Sequence, residues 1–439
     1  MRIPGIILAA ALLFPVGLSA QAAETLGLDK ARTLALAHSK TLQKAGLAVE
    51  AAVLEEKGVF YDALPSFSAA LAGAFSYSAS TALAKMPSAS LGLSASYTIW
   101  DGGANAVLAA IDKLATAAAR QAARVAYYEV LDSIDAAYYA ALEALASLEA
   151  AQSGMAAAKQ ALEIAQIKLE AGMITKVDLI QVESEMATKE TTLSQARRDL
   201  AVCRAKIASL TGTAGAFDLE KVDLARYDAL IAKAAAYGDA ASDSLSAAVE
   251  KAAYAASPTL ARYAALSDQA RKAVDQAATG YSPTVTASFS HKLSASLSAF
   301  DATAGSLTLT ASMPIDFWET QNEVKAADAA AGEAALDLDE QKRTLDLSVL
   351  TAVADCVAQA RSVLSSQKAL EYAEKNYENV LELYKLSSKP VADLLDAEAT
   401  VSSSKETLIA ARYGFLSNLS TLRSLGAFES EEALLALFP

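Results

Sequence analysis

The sequence predicts a mainly helical protein with a small β part, written twice, whose strands suit a membrane and whose helices are too long for a globule. Three observations carry this. Four short segments alternate apolar and hydroxylated residues with period two. Two stretches of almost seventy residues lack proline and nearly lack glycine. Short landmarks recur at a slowly drifting offset of 215 to 218 residues.

The bulk numbers set a puzzle. Hydrophobic residues make up 53% of the 439, yet 20% are charged and the formal net charge is −14. After the N-terminus no run of 18 apolar residues occurs, so no membrane-crossing helix is expected there. Alanine, spread among charges at helical spacing, carries much of the positive mean hydropathy. Collagen-like, disordered and disulfide-scaffold classes are excluded by 19 Gly, 9 Pro and 2 Cys. An acidic surface repels phosphates, so a nucleic-acid partner is not expected.

Residues 1–22 read as a secretory signal: Arg2 as the n-region charge, Ile3 to Val16 as the apolar core, Ala20-Gln21-Ala22 as the cleavage site. No Cys follows that site, so a lipid anchor is not indicated. Cys203 and Cys356 both fall in helical patterns. Exported cysteines can pair, but nothing in this spacing marks a framework, and two separate buried thiols are expected.

The first repeat spans 23–235 and the second 236–427, followed by a tail at 428–439. Ala37-His38-Ser39-Lys40-Thr41-Leu42 resembles Ala255-Ala256-Ser257-Pro258-Thr259-Leu260. Leu91, Leu93, Ala95 and Ile99 map to Leu307, Leu309, Ala311 and Ile315. Asp178-Leu179-Ile180 maps to Asp393-Leu394-Leu395. Such similarity over most of the chain is the mark of an internal duplication. Each copy reads helix, two strands, very long helix, turn, long helix.

The strands are placed at 66–78, 90–99, 284–297 and 306–315. In the first, Phe67, Ala69, Leu71, Gly73, Phe75 and Tyr77 alternate with small or hydroxylated residues. The other three do the same. Period two with one apolar face is a half-buried strand. Lengths of about 10–13 residues suit a tilted membrane strand. The opposite face is Ser, Thr and Gly rather than Lys and Glu, as in a watery lumen. Tyr77, Tyr97 and Trp100 lie toward segment ends, where interfacial aromatics are expected. His291 falls on the apolar face, so either a bulge shifts the register or that position is not deep in lipid. Four strands cannot close a barrel, and open edges are not tolerated in hydrocarbon. Several chains must share one barrel; counting alone allows two, three or four.

The long helices are placed at 103–170 and 319–386, each ~100 Å at 1.5 Å per residue. The returning helices, 176–211 and 391–425, carry heptad ladders. Leu179, Met186, Leu193, Leu200 and Ile207 form one, and Leu394, Val401, Leu408, Phe415 and Leu422 the other. A sustained 3.5 period imposes a left-handed supercoil with a close-packed seam. The pairs join at tips 171–175 and 386–390, where Gly172 suits a helix C-cap and Pro390 the first turn of the next helix.

At this point the sequence resembles a TolC-type outer membrane efflux protein. The residues that carry the likeness are Leu28-Asp29-Lys30-Ala31, Ile99-Trp100-Asp101-Gly102-Gly103, Glu170-Ala171-Gly172-Met173-Ile174-Thr175 and Lys389-Pro390-Val391-Ala392-Asp393-Leu394-Leu395-Asp396-Ala397. The resemblance implies a homotrimer with a 12-stranded membrane barrel and a 12-helix periplasmic tunnel of coiled coils. It also implies an equatorial girdle around 213–245 and the tail. It implies location in the outer membrane, reaching into the periplasm, and a passive exit duct in an efflux or type I secretion system. Its partners would be a periplasmic adaptor and an inner-membrane efflux pump or ABC transporter, met through the tip residues Gly172, Met173, Ile174, Ser387 and Ser388.

Asp393 and Asp396 lie i, i+3 on one helix face near the tip. The resemblance implies that three copies form an acidic constriction, which attracts cations and can chelate one. Asp178, Tyr384 and Lys389 are implied as the gate links; Lys389 stands where arginine is common and binds carboxylate less directionally. The second tip has Ser387 and Ser388 near where the first has Ala171-Gly172, so the two docking surfaces should differ. No enzyme is expected, nor a cofactor or metal: His38 and His291 have no metal spacing, and no phosphate loop or nucleophile elbow is present. The competing reading is a periplasmic coiled-coil adaptor or scaffold without a membrane barrel.

Overall fold

The computed structural model describes residues 24–76, 85–213, 217–296, 299–315, 317–428 and 430–438. The signal segment 1–22, Tyr77 and Ser78, and Leu297 lie outside them. A short strand β1 (Glu24–Leu26) leads into helices α1 (Leu28–His38) and α2 (Lys40–Asp62). Strands β2 (Ser66–Ser76) and β3 (Lys85–Trp100) precede the long helices α3 (Ala104–Glu170) and α4 (Lys176–Thr211). A middle segment holds β4 (Phe217–Leu219), α5 (Ala225–Ala235) and α6 (Asp239–Ala256). The order then recurs: α7 (Pro258–Ala278), β5 (Thr284–Ser296), β6 (Ala299–Ser312), α8 (Phe317–Lys385) and α9 (Val391–Leu425), with α10 (Glu431–Leu435) in the tail.

Matching caps open α2 and α7. Ser39 accepts from the Leu42 amide at 3.2 Å, and Ser257 from that of Leu260 at 3.4 Å. Each hydroxyl satisfies one of the orphan donors of a helix start. Pro258, at the first helical position of α7, needs no acceptor there.

The four longer strands make one antiparallel sheet in the order β2-β3-β5-β6. Its apolar face is bare: Phe67 and Leu71 are 80% exposed and Leu307 79%. The other face is a ladder of hydroxyls, with Ser68 against Ser94 at 2.7 Å and Ser290 against Ser306 at 2.9 Å. β2 and β6 form the sheet's two edges.

Strand bounds differ from the alternation. β3 begins at Lys85, not residue 90, and β6 at Ala299, not residue 306, because backbone pairing continues where side-chain alternation has stopped. β6 ends at Ser312, short of residue 315; Pro314 has no N–H to continue the ladder. Around Pro87 the pairing jumps from Ala74↔Ser88 to Ser76↔Lys85. His291 pairs with Leu93 on one side and Gly305 on the other, and the β5–β6 register breaks between Lys292 and Ser294. The bulge therefore lies beside His291, and the residue stays on the apolar face. A Cβ on Gly305 would stand 3.0 Å from its Nδ1, so Gly305 makes the room.

Between β3 and α3 the chain turns through Asp101-Gly102-Gly103. Gly102 and Gly103 have φ of +72° and +89°, a region costly to other residues. Asp101 caps the new helix through the amides of Gly103 (2.9 Å) and Asn105 (2.8 Å). Trp100 and Trp318 are both exposed where sheet gives way to the long helices.

The main core lies midway along the long helices. Ile134, Tyr138 and Leu142 of α3 meet Val353 and Cys356 of α8, Leu416 and Leu422 of α9, and Ile207 of α4. β1 pairs parallel to β4 there, and Tyr237 stacks on Phe438 of the tail. The layer reaches Ala256, beyond residue 245. Cys203 and Cys356 are free thiols, the latter pushed up to about 12 by burial. Against the expectation from the sequence, α8 is long and apolar enough, by length and composition, to cross a membrane. One 18-residue window reaches a mean hydropathy of 1.3 because alanine and valine dilute its charges, although Val349, Val353, Cys356 and Val363 of this helix belong to the core.

A buried ionic knot ties three helices in this layer. Asp135 of α3, at 0% exposure, accepts from Arg32 of α1 at 2.7 and 2.9 Å and from Arg423 of α9 at 2.8 Å. Ser420 adds a bond at 2.6 Å. Removing one partner of such a group strands buried charge. Asp135→Ala is therefore expected to lower stability by about 3–5 kcal/mol, read from the denaturant midpoint, whereas Arg423→Lys should cost less.

Candidate functional site

The two hairpin tips end in the same backbone motif. At the first, the amides of Gly172 and Met173 donate to the carbonyls of Leu169 (2.9 Å) and Lys168 (2.8 Å). At the second, those of Ser387 and Ser388 donate to Tyr384 (2.9 Å) and Leu383 (2.8 Å). This is the Schellman closure, which requires a left-handed residue at its turn. Gly172 fills it at φ +72°, Ser387 at +58°. The structural equivalence is thus Gly172 with Ser387 and Met173 with Ser388. A serine in that conformation costs roughly 1 kcal/mol. Its hydroxyl gains a partner, since Lys168 Nζ donates to Ser387 Oγ at 3.0 Å.

Lys168 is a residue that the sequence patterns did not mark. It is buried, donates to the Tyr384 carbonyl at the C-terminus of α8, and sits 4.1 Å from the Tyr384 ring centroid. A cation there meets both the negative end of the helix dipole and a π face. Burial lowers its pKa. Around it Ala165, Val182, Tyr384, Val391 and Leu394 form a second small core that fastens one hairpin to the other. Ser387 Oγ also touches Met173 Sδ at 3.8 Å, so the tips meet directly.

The expected gate residues take distinct places. Asp178 closes a capping box with Thr175, accepting from its amide and its hydroxyl at 2.8 Å each. Those bonds hold its carboxyl below the usual range. Tyr384 is buried, and its Oη has no hydrogen-bond partner among the described residues. Burial, then the charge of Asp178, pushes its phenol up. Lys389 is exposed and bridges to Asp393 at 2.5 Å, one helical turn on. Asp396 is exposed one turn further along α9. Within one chain, then, Lys389 meets Asp393, and Tyr384 lies near Asp178.

Two placements correct the tip expectations. Pro390 is the residue before α9, with φ −69° and ψ 161°, and not part of its first turn; its fixed φ still sets the entry angle. Gly172, Met173, Ser387 and Ser388 are exposed, but Ile174 turns inward onto the tip core, where apolar contact outweighs exposure. Neighbouring Ile167, Val177, Ile180 and Leu386 are more than 60% exposed and extend the apolar surface of the tips.

The sequence profile of outer membrane efflux proteins matches residues 31–213 and 249–427. The chain belongs to that family. No curated protein matches it by sequence. Among solved structures, CusC is similar with a TM-score of 0.78 at 15% identity, covering 95% of this chain and 99% of that one. VceC of Vibrio cholerae gives 0.74 at 17%, covering 91% and 96%. CmeC of Campylobacter jejuni, an outer membrane channel, gives 0.73 at 15%, covering 99% and 97%. At these identities the likeness speaks to the fold. Membership makes this an outer membrane efflux protein that reaches into the periplasm, in a transport family and not an enzyme family.

The capping box yields a test. Thr175→Ala should destabilise the start of α4 by about 1 kcal/mol, roughly a fivefold faster amide exchange at Asp178 and Leu179 by mass spectrometry. In the native chain that protection should hold above the ordinary carboxylate range and fade only as pH falls through the lowered pKa of Asp178.

Proposed function

We propose that three copies of this chain form a channel-tunnel that crosses the outer membrane. Each chain gives four strands to a shared 12-stranded barrel, and α3, α4, α8 and α9 of three chains form a 12-helix periplasmic tunnel. One observation carries the reading: a four-stranded sheet bares its apolar face, presents hydroxyls on the other, and leaves both edge strands open. Lipid accepts the first face and water the second, and only further strands satisfy the edges. Residues 31–213 and 249–427, matched separately by the family profile, support reading the chain as a duplicated unit.

The duct is passive and takes cargo from other machinery. Its tips present Met173, Ser387 and Ser388 beside exposed Ile167, Val177 and Leu386. That mixed surface suits the hairpin of a periplasmic adaptor, coupled to an inner-membrane efflux pump or an ABC transporter of type I secretion. Asp393 and Asp396 from three chains would ring the entrance with six carboxylates. Lys389 already neutralises part of that charge, so Asp396 contributes the stronger field. Asp178, Tyr384 and Lys389 are the residues proposed to hold neighbouring tips closed, and the unpartnered Tyr384 Oη has capacity for such a link.

In planar bilayers, Asp393→Ala with Asp396→Ala should abolish trivalent-cation block of single-channel current; unchanged block would place the ring elsewhere. The scaffold alternative predicts release into the soluble fraction on carbonate extraction, whereas the channel stays with the membrane pellet.

A further inference from the structure

Away from the tips, the two hairpins enclose a cavity of about 470 Å³ between α3, α4, α8 and α9. Its size is that of a small-ligand pocket. One wall is α3, where Ala150, Gly154 and Ala157 leave a flat apolar floor. Opposite it stands Glu398 of α9, only 4% exposed.

Glu398 is the anomaly. Neither Oε1 nor Oε2 has a hydrogen-bond partner among the described residues. Its nearest cation, Lys189 of α4, lies 3.6 Å from Oε1, and that ammonium is shared with Glu185 at 3.3 Å and Ser402 at 3.2 Å. A buried carboxylate whose Oε1 has only this long, shared ion pair and whose Oε2 accepts nothing is costly and is normally better satisfied. Its pKa is raised, by burial first. At the mouth, Lys405 is occupied by Glu374 at 3.5 Å. Glu378 and Glu406 also line the cavity, so its lining carries more acids than lysines.

We infer that this inter-hairpin cavity binds a small planar organic cation, an amidinium or guanidinium with an apolar body. A carboxylate whose two oxygens accept no hydrogen bond among the described residues matches the fork of an amidinium, which gives two parallel charge-assisted bonds. The apolar body rests on the Ala150–Gly154–Ala157 floor beside the Tyr377 ring. The excess of acids disfavours an anion. A divalent metal lacks ligands, since no group of three His, Cys, Asp or Glu side chains converges among the described residues. A cation held there touches both hairpins and fastens them together. The inference rests on this seam alone and stands apart from the channel reading.

The test uses the full-length protein in detergent, with benzamidine as probe and benzoate as control, by isothermal titration calorimetry. Saturable benzamidine binding is expected, with no benzoate binding and a raised melting temperature in the presence of benzamidine. Glu398→Gln, nearly isosteric and neutral, should weaken binding at least tenfold. Gly154→Leu is the second variant. A Cβ there stands 3.9 Å from Lys189 Cδ and Ser402 Oγ, so the first carbon fits and the rest enters the cavity. It should lose binding with Glu398 intact. Groups facing the carboxylate are Glu185 and Lys189 on α4, Glu374, Tyr377 and Glu378 on α8, and Lys405 and Glu406 on α9; α3 contributes none to the cavity. Because the bound cation needs ionised Glu398, affinity should fall as pH drops through its raised pKa. No saturable benzamidine binding, equal affinity in Glu398→Gln, or equal binding of benzoate would each overturn the site.

Discussion

The structure depends on one constraint: backbone groups at a sheet edge must find partners wherever water is absent. β2 and β6 leave their outer edges open, and the sheet they bound is dry on one face and hydroxylated on the other. A single chain cannot satisfy those edges in lipid. The rest follows from that demand. In the proposed assembly, strands of different chains share one register, and the long helices that continue from β3 and β6 follow the same ring. Trp100 and Trp318, exposed at the two sheet-to-helix junctions, suit the boundary between lipid and water.

Below the sheet, a buried ionic group holds each level of the chain. Asp135 gathers α1, α3 and α9 in the middle layer, and Lys168 fastens α3 to the end of α8 at the tips. Both replace apolar packing with directional bonds at places where alanine-rich helices offer few large side chains. The tips are consequently stiff within a chain: Schellman turns, a capping box and a small core leave little freedom in the hairpin ends. Motion that opens an entrance would then move hairpins as units, not unwind them.

Much of the fold was legible in the sequence. Helices approaching seventy residues stand out because proline is absent and glycine almost so, and a strand with hydroxyls on one face is readable from period two alone. What was less legible depended on pairing across the chain. The start of β3 at Lys85 and of β6 at Ala299 is set by backbone ladders, which leave no side-chain signature. The end of β6 at Ser312 does have a sequence mark, Pro314. At the tips, Gly172 announced its turn, whereas Ser387 adopts the same conformation in a residue that does not advertise it. Lys168 and Glu398 looked like ordinary helical charges. Only the approach of a second hairpin buries them, and 216 residues separate Lys168 from the carbonyl it caps.

The central claim is that the open sheet of one chain is completed by two others. Native mass spectrometry of the protein extracted from outer membranes in detergent tests it most directly. The account predicts a complex with the mass of three chains that survives in detergent and loses its β signal when dissociated. A stable monomer that keeps its sheet and remains in the membrane would contradict it.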